Sequence, residues 1–433
     1  MLAGFTAQSA LLAAAALTTA VAVVLLFVRS AAFGVCTLAG GQAWLVLARG
    51  QVPVVSAGIS LYPLDLLTVC AGIAAVVSVV RRPIRPAPGH VALAVLGLLV
   101  SASVVSGMAA YGVEGAGNEA RVYFLHALGA ACYTATVRSD RSLDRLVVRL
   151  WAVLACVYCL AAVFWWSRLG IGSNSTSVLV DGRMVNSRPV DAASALVVAQ
   201  AAVMLLCNPL GSPGGRLLAG LLLPVVVLLQ HRTVWFAALV MVAGWLLFRP
   251  ARAGLRAAGI TLAVLLAATA LLLLSLSPGA GLTRNLASSA TNEDTLEWRI
   301  DSSNLLVGRL NGVTDWLFGL PFGSGFDRLL YGHVVESQPH NFYLHLLLRV
   351  GLVGLCAAVW LVLAVLHRTT YRTPMGLAMW LSVAGMACFC MAYAMPFEQS
   401  LLIGLLLRGP TAPRTLRRSA SAGRSLRLRA AAA

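Results

Sequence analysis

Apolar residues along this chain come in runs of about 20, the length a helix needs to cross a bilayer, joined by short polar segments rich in arginine. The runs lack strand-like alternation of apolar and polar positions. Hydrocarbon offers no water to backbone amides, so runs of this kind are read as helices. The pattern predicts an all-α polytopic membrane protein of about 12–13 transmembrane helices. The spans are expected near 10–28, 31–48, 61–80, 90–110, 120–137, 146–166, 190–207, 216–230, 233–248, 254–276, 342–366, 374–393 and 397–408. No positively charged segment precedes residues 10–28, so that run reads as a retained first span.

Composition sharpens this reading. The 433 residues are 59% hydrophobic and 11% charged, against about 25% charged in soluble domains. Mean hydropathy is +0.85. The formal charge is +17, and all basic residues are arginine. Most of them lie in joints on one side: Arg29, Arg81, Arg82, Arg85, Arg138, Arg141, Arg145, Arg149, Arg216, Arg249, Arg252, Arg256, Arg368, Arg372 and the tail from Arg408. The positive-inside rule makes that side cytoplasmic, so the charge is assigned to membrane topology and not to nucleic acid. The nine cysteines, including Cys156, Cys159, Cys388 and Cys390, fall in or beside apolar runs and read as small hydrophobes.

The opposite side is expected to hold most acids: Glu114, Glu119, Asp181, Asp191, Glu293, Asp294, Glu297, Asp301, Asp315, Asp327, Glu336 and Glu398. It also holds the two longest polar loops, 167–189 and 277–341, and long structured loops are where function concentrates. The chain is expected to divide into an N-terminal transmembrane bundle (1–189), a second region (190–408) containing loop 277–341, where the active surface is expected, and a basic, disordered cytoplasmic tail (409–433).

Within the long loop, Leu306, Leu310, Val313 and Leu317 are spaced as one face of a helix, and Arg299 falls on that face. An arginine turned towards a membrane bundle needs an anionic partner. Pro321-Phe322-Gly323-Ser324-Gly325-Phe326 is turn-forming, and with no strand before it, it is not a phosphate-binding P-loop. His340 stands at the start of the span beginning at 342, with Asn341 as N-cap. A helix N-terminus disfavours the protonated ring, which leaves His340 neutral and able to accept a proton. Gln230-His231-Arg232-Thr233 is a near-loopless hairpin that sets Arg232 at lipid-phosphate depth, where guanidinium can bind phosphate oxygens in a bidentate way.

Taken together, these elements resemble the O-antigen ligase and O-antigen polymerase superfamily. His340-Asn341, nine residues, then Gly351-Leu352-Val353-Gly354 is similar to the family's His signature. Trp298-Arg299, Trp316 and Gly319-Leu320-Pro321-Phe322-Gly323-Ser324-Gly325-Phe326 resemble its upstream Arg, Trp and Pro-x-x-Gly-x-Gly turn. Arg232-Thr233 resembles the family's Arg at the head of a span. The ligases' Arg-x-x-x-Leu is not reproduced, since Phe236 stands at the fourth position. The likeness covers about residues 190–393.

The resemblance implies a C-type glycosyltransferase fold in the bacterial cytoplasmic membrane. The donor is an undecaprenyl-diphosphate-linked glycan, the acceptor is a glycan or lipid, and the reaction takes place on the extracytoplasmic face. It places His340 as base and Arg232 and Arg299 as stabilisers of the leaving diphosphate. Asn341, Arg309, Arg328, His333 and Tyr343 become candidate substrate contacts, and Gly351 and Gly354 close-packing positions. Inversion is expected, with no cofactor and no metal. Ligase and polymerase stay open. A lipid-glycan flippase or polysaccharide transporter is the alternative, although Asp65 is the only acid inside a predicted span beyond its first two residues, where Asp191 and Glu398 stand. A peptidoglycan polymerase dependent on Asp181, Asp301 or Asp315, and a structural scaffold, are the remaining readings.

Overall fold

The computed structural model describes residues 2–48, 55–56, 60–83, 86–137, 141–170, 176–180, 183–248 and 294–408. Fourteen α-helices lie among them: α1 (Leu2–Arg29), α2 (Ala31–Ala48), α3 (Pro63–Arg81), α4 (Pro88–Ala120), α5 (His126–Thr136), α6 (Arg141–Leu169), α7 (Ala192–Cys207), α8 (Pro213–Leu228), α9 (Arg232–Phe248), α10 (Asp294–Val307), α11 (Val313–Phe318), α12 (Phe342–Arg368), α13 (Pro374–Phe389) and α14 (Phe397–Leu407). Three antiparallel hairpins connect them: β1–β2 (Val55–Ser56, Ser60–Leu61), β3–β4 (Thr176–Val180, Arg183–Ser187) and β5–β6 (Arg328–Leu330, His333–Val335).

The chain is a predominantly α-helical, polytopic membrane protein. Five described helices are long and apolar enough to cross a bilayer: Ala31–Ala48, Pro63–Arg81, Pro88–Ala120, Leu143–Leu169 and Phe342–Arg368. Most other expected spans that fall on described residues form shorter apolar helices, the one at 120–137 is split into a π-helical turn (Arg121–Leu125) and α5, and the one at 254–276 lies outside the described residues. Leu98, Val105, Leu160, Leu221, Leu239 and Leu247 stand exposed on helix surfaces. In water such a surface is a liability, whereas lipid covers it.

Local sequence sets the helix starts. Asn341 Oδ1 accepts from the amides of Tyr343 (2.9 Å) and Leu344 (3.2 Å), and Asp191 Oδ1 from Ser194 (2.7 Å). Pro63, Pro88 and Pro374 occupy first-turn positions, where a missing N–H costs nothing. Almost every residue of α7 is buried, so a helix apolar on all sides becomes the bundle's axis. Around it α6, α8, α9 and α13 pack, while α4 packs on α12 and α5 on α14. One hydrophobic cluster therefore runs from Phe27 to Leu407 and joins helices from both sides of residue 190. At its centre the Gln200 and Gln399 amides pair at 2.7 Å. Gln200 also accepts from Trp151 Nε1 (3.1 Å) and donates to the Ser382 carbonyl (2.9 Å), so the buried amides are satisfied.

Two expectations change. The stripe expected to run from Leu306 to Leu317 breaks at Gly308–Gly312, between α10 and α11. Leu306 and Leu310 are buried, but Val313 is 77% exposed. Glu119 and Glu398, expected among the loop acids, lie inside the helical body. Glu119 pairs with Arg349, and Glu398 is buried on α14 within 3.3 Å of Tyr158 Oη. Gly351 has φ +64° and breaks α12. A Cβ there would stand 2.2 Å from the Leu317 carbonyl carbon, so the close approach of α11 to α12 requires glycine.

Candidate functional site

The segment 294–341 folds over one end of the bundle on a small core of its own: Leu306, Leu310, Phe326, Leu344 and Leu348. Beneath it opens a cavity of about 590 Å³, a size suited to a small organic ligand. Ser337, Gln338, Pro339 and His340 line one wall. Phe389, Tyr393 and Met395 come from the end of α13 and the turn after it. His126, Asp191 and Leu64 come from the N-terminal ends of α5, α7 and α3.

His340 is packed between two aromatic rings, Trp298 and Tyr393, each with its centroid 6.2 Å away. The Arg299 guanidinium stands over Tyr393 at 5.5 Å, and that of Arg328 over Trp298 at 5.8 Å. Burial and these two guanidiniums, Arg299 before Arg328, push the His340 pKa below its ordinary value. The sequence argument for a neutral ring thus agrees with its surroundings, but the cause is different. Among the described residues, the buried Arg299 Nε has no hydrogen-bond acceptor, and neither has Arg328 Nη2. A buried donor left unmade costs about 1–3 kcal/mol, and an anionic oxygen placed there would remove that cost.

The remaining nitrogens of Arg328 are occupied. Nε donates to Ser302 Oγ (2.7 Å), and Nη1 to the Phe326 (2.8 Å) and Ser337 (2.7 Å) carbonyls. Arg328 thus holds the strand leading to His340 while offering one donor. Arg309, Asn341 and Tyr343, expected as substrate contacts, use their polar atoms internally. Arg309 donates to the Ser324 and Gly325 carbonyls, each at 2.9 Å; Asn341 caps α12; and Tyr343 Oη donates to the Ala387 carbonyl at 2.9 Å. His333 is exposed on the β5–β6 hairpin, away from the cavity wall. Gly354 sits one turn beyond the break at Gly351, where a Cβ would meet the Val350 side chain at 2.3 Å.

No family model matches the chain, and no curated protein matches it either. The residues themselves therefore carry the argument.

Arg232 opens α9 and is exposed, and it is not among the described residues lining the cavity. Its neighbour His231 is buried. His231 Nδ1 accepts from Arg188 Nη1 at 3.0 Å, and Nε2 donates to the Val190 carbonyl at 3.1 Å. This contact steers residues 188–190 into Asp191 on the cavity wall. Burial, reinforced by Arg188, holds the His231 pKa at about 4. A folded pKa below the unfolded value of about 6.5 means that the unfolded chain binds the proton better. Stability should then be intact above pH 6.5 and be lost as the pH falls towards 4. The expected result is a Tm in detergent that drops between pH 7 and pH 4.5, with a smaller drop in His231→Gln. Equal drops would count against this contact.

Several polar residues were not singled out in the sequence. His126 Nε2 lies 2.6 Å from Asp65 Oδ1, and Arg121 Nη1 lies 3.6 Å from Asp65 Oδ2. In the sequence Asp65 stands as an isolated acid; the signal that could pair it is a second ionisable residue, His126, in another apolar run. Tyr393 had no sequence signal beyond being aromatic near a span end. Among the described residues no group of three His, Cys, Asp or Glu gathers to hold a metal ion.

Proposed function

We propose that this protein is a glycosyltransferase of the O-antigen ligase and polymerase kind. It moves a glycan from undecaprenyl diphosphate to an acceptor hydroxyl at the outer face of the cytoplasmic membrane, without a metal and with inversion at the anomeric carbon. One observation carries the reading. His340 and the buried Nε of Arg299, which has no acceptor among the described residues, stand together on aromatic supports, with His340 in the wall of an open cavity at one end of a membrane bundle. A diphosphate leaving group gains negative charge as the glycosidic bond breaks, and a fixed guanidinium stabilises such charge. The aromatic walls suit the apolar faces of sugar rings.

The second reading is a lipid-glycan flippase. What favours it is the burial of Asp65, His126, Glu119 and Glu398 within the helical body, since ionisable groups inside a bundle also mark transport paths.

One experiment separates the two. Purified protein is reconstituted with a polyprenyl-diphosphate-linked oligosaccharide, with and without a hydroxyl-bearing glycan acceptor, in the presence of EDTA. The expected result is an elongated or transferred glycan of inverted anomeric configuration. Movement of the donor between leaflets, with no product even when acceptor and divalent cations are added, would establish flipping instead.

A further inference from the structure

On the reading that this chain transfers a glycan, we propose that the Asp65–His126 pair is a catalytic base site on the acceptor side of the cavity. Asp65 lies in the first turn of α3, and His126 opens α5 directly after a π-helical turn, Arg121–Leu125. Such turns are frequent at functional sites, because they shift a side chain out of helical register. His126 lines the same cavity as His340.

The pair is held on every side. Asp65 Oδ1 meets His126 Nε2 at 2.6 Å, and Oδ2 accepts from the Tyr62 amide at 2.8 Å and faces Arg121 Nη1 at 3.6 Å. The Arg121 guanidinium is in turn seated over the Tyr62 ring at 4.6 Å. A carboxylate accepts, so the proton of a neutral His126 sits on Nε2 and the lone pair on Nδ1. A carboxylate in this position orients the imidazole and stabilises the imidazolium that forms when the ring takes a proton. His340 has the opposite surroundings: the Arg299 guanidinium rests on Tyr393 and that of Arg328 on Trp298, the two rings that flank it. His340, His126 and Asp191 share the wall of one cavity; the proposal puts the donor at His340, beside Arg299, and the acceptor at His126, backed by Asp65.

The step balances as follows. The acceptor oxygen forms a bond to the anomeric carbon, and its proton passes to His126 Nδ1. The bond between the anomeric carbon and the diphosphate oxygen breaks, and its electron pair leaves on the lipid diphosphate beside Arg299. His126 then releases the proton to water at the cavity mouth.

The test is chemical rescue in the reconstituted full chain. His126→Ala should lower the transfer rate by about 10²- to 10⁴-fold, the range for losing a general base. Added imidazole should restore activity at least tenfold, more so as the pH rises through the pKa of imidazole. Asp65→Asn should lower kcat while leaving the donor KM unchanged. His340→Ala should lose activity without rescue. Rescue of His340→Ala but not of His126→Ala would overturn the assignment. So would full activity in His126→Ala, or His126→Ala, His126→Gln and Asp65→Asn all inactive with lowered Tm and no rescue, the mark of a purely structural pin between α3 and α5. In each of these cases the wild-type chain still transfers glycan, so only the base assignment fails; a wild-type chain that transfers nothing ends both readings.

Discussion

Arg299→Ala is expected to lower glycan transfer by about 10²- to 10³-fold, the usual cost of removing one fixed donor to a developing anion, with little change in Tm. The asymmetry follows from the bonds Arg299 makes. Its Nε is buried with no acceptor among the described residues, and its guanidinium rests on Tyr393. Removing a donor that is unmade in the free protein relieves strain rather than creating it. Arg299→Lys keeps the charge but loses the planar fork and the stacking geometry, so it should recover only part of the rate. Arg328→Ala is the contrast. That side chain joins Ser302, Phe326 and Ser337, and its loss should lower Tm as well as activity. The readouts are initial rates in proteoliposomes and Tm in detergent. A wild-type rate for Arg299→Ala, or a Tm loss equal to that of Arg328→Ala, would remove Arg299 from the donor site.

The helical plan was legible because bilayer thickness writes itself into the sequence as apolar runs of a fixed length. The caps at Asp191 and Asn341 were legible for the same local reason, since each is satisfied within three residues. What escaped the sequence is contact between distant positions. Asp65 and His126 are 61 residues apart, and Glu119 and Arg349 are 230 apart. Counting acids in loops placed Glu119 and Glu398 in water, yet each begins or ends a helix and is carried inside by its neighbours. The leucine stripe failed at Gly308–Gly312 because the backbone there gave up the helix to turn α11 towards Gly351. In the site, His340 and Arg299 come together through one short stretch of chain. Arg232 belongs to a different helix, and its position depended on tertiary packing that no local pattern records.

The second large effect concerns that packing. The Arg349 side chain is 1% exposed, and its Nε pairs with a Glu119 carboxylate oxygen. Its Nη1 donates to Ser324 Oγ and its Nη2 to the Gly325 carbonyl, each at 2.8 Å, while the other Glu119 oxygen accepts from the Gly323 amide at 2.9 Å. The turn Pro321–Phe326 is therefore tied to α4 and α12 by one buried ion pair, and Arg309 holds its outer edge. Removing one member of such a pair leaves an uncompensated charge away from water, at a cost of about 3–5 kcal/mol. Glu119→Ala and Arg349→Met should each lower Tm sharply and release the turn to proteolysis. Activity should fall with them, because the turn leads into Arg328 and the wall that carries His340. The double variant Glu119→Ala/Arg349→Met should be more stable than either single one, since no unpaired charge remains buried. The coupling read from that four-member cycle decides the case. Additive losses would mean that the pair does not act as a unit and that the turn is held by its glycines and Phe322 alone.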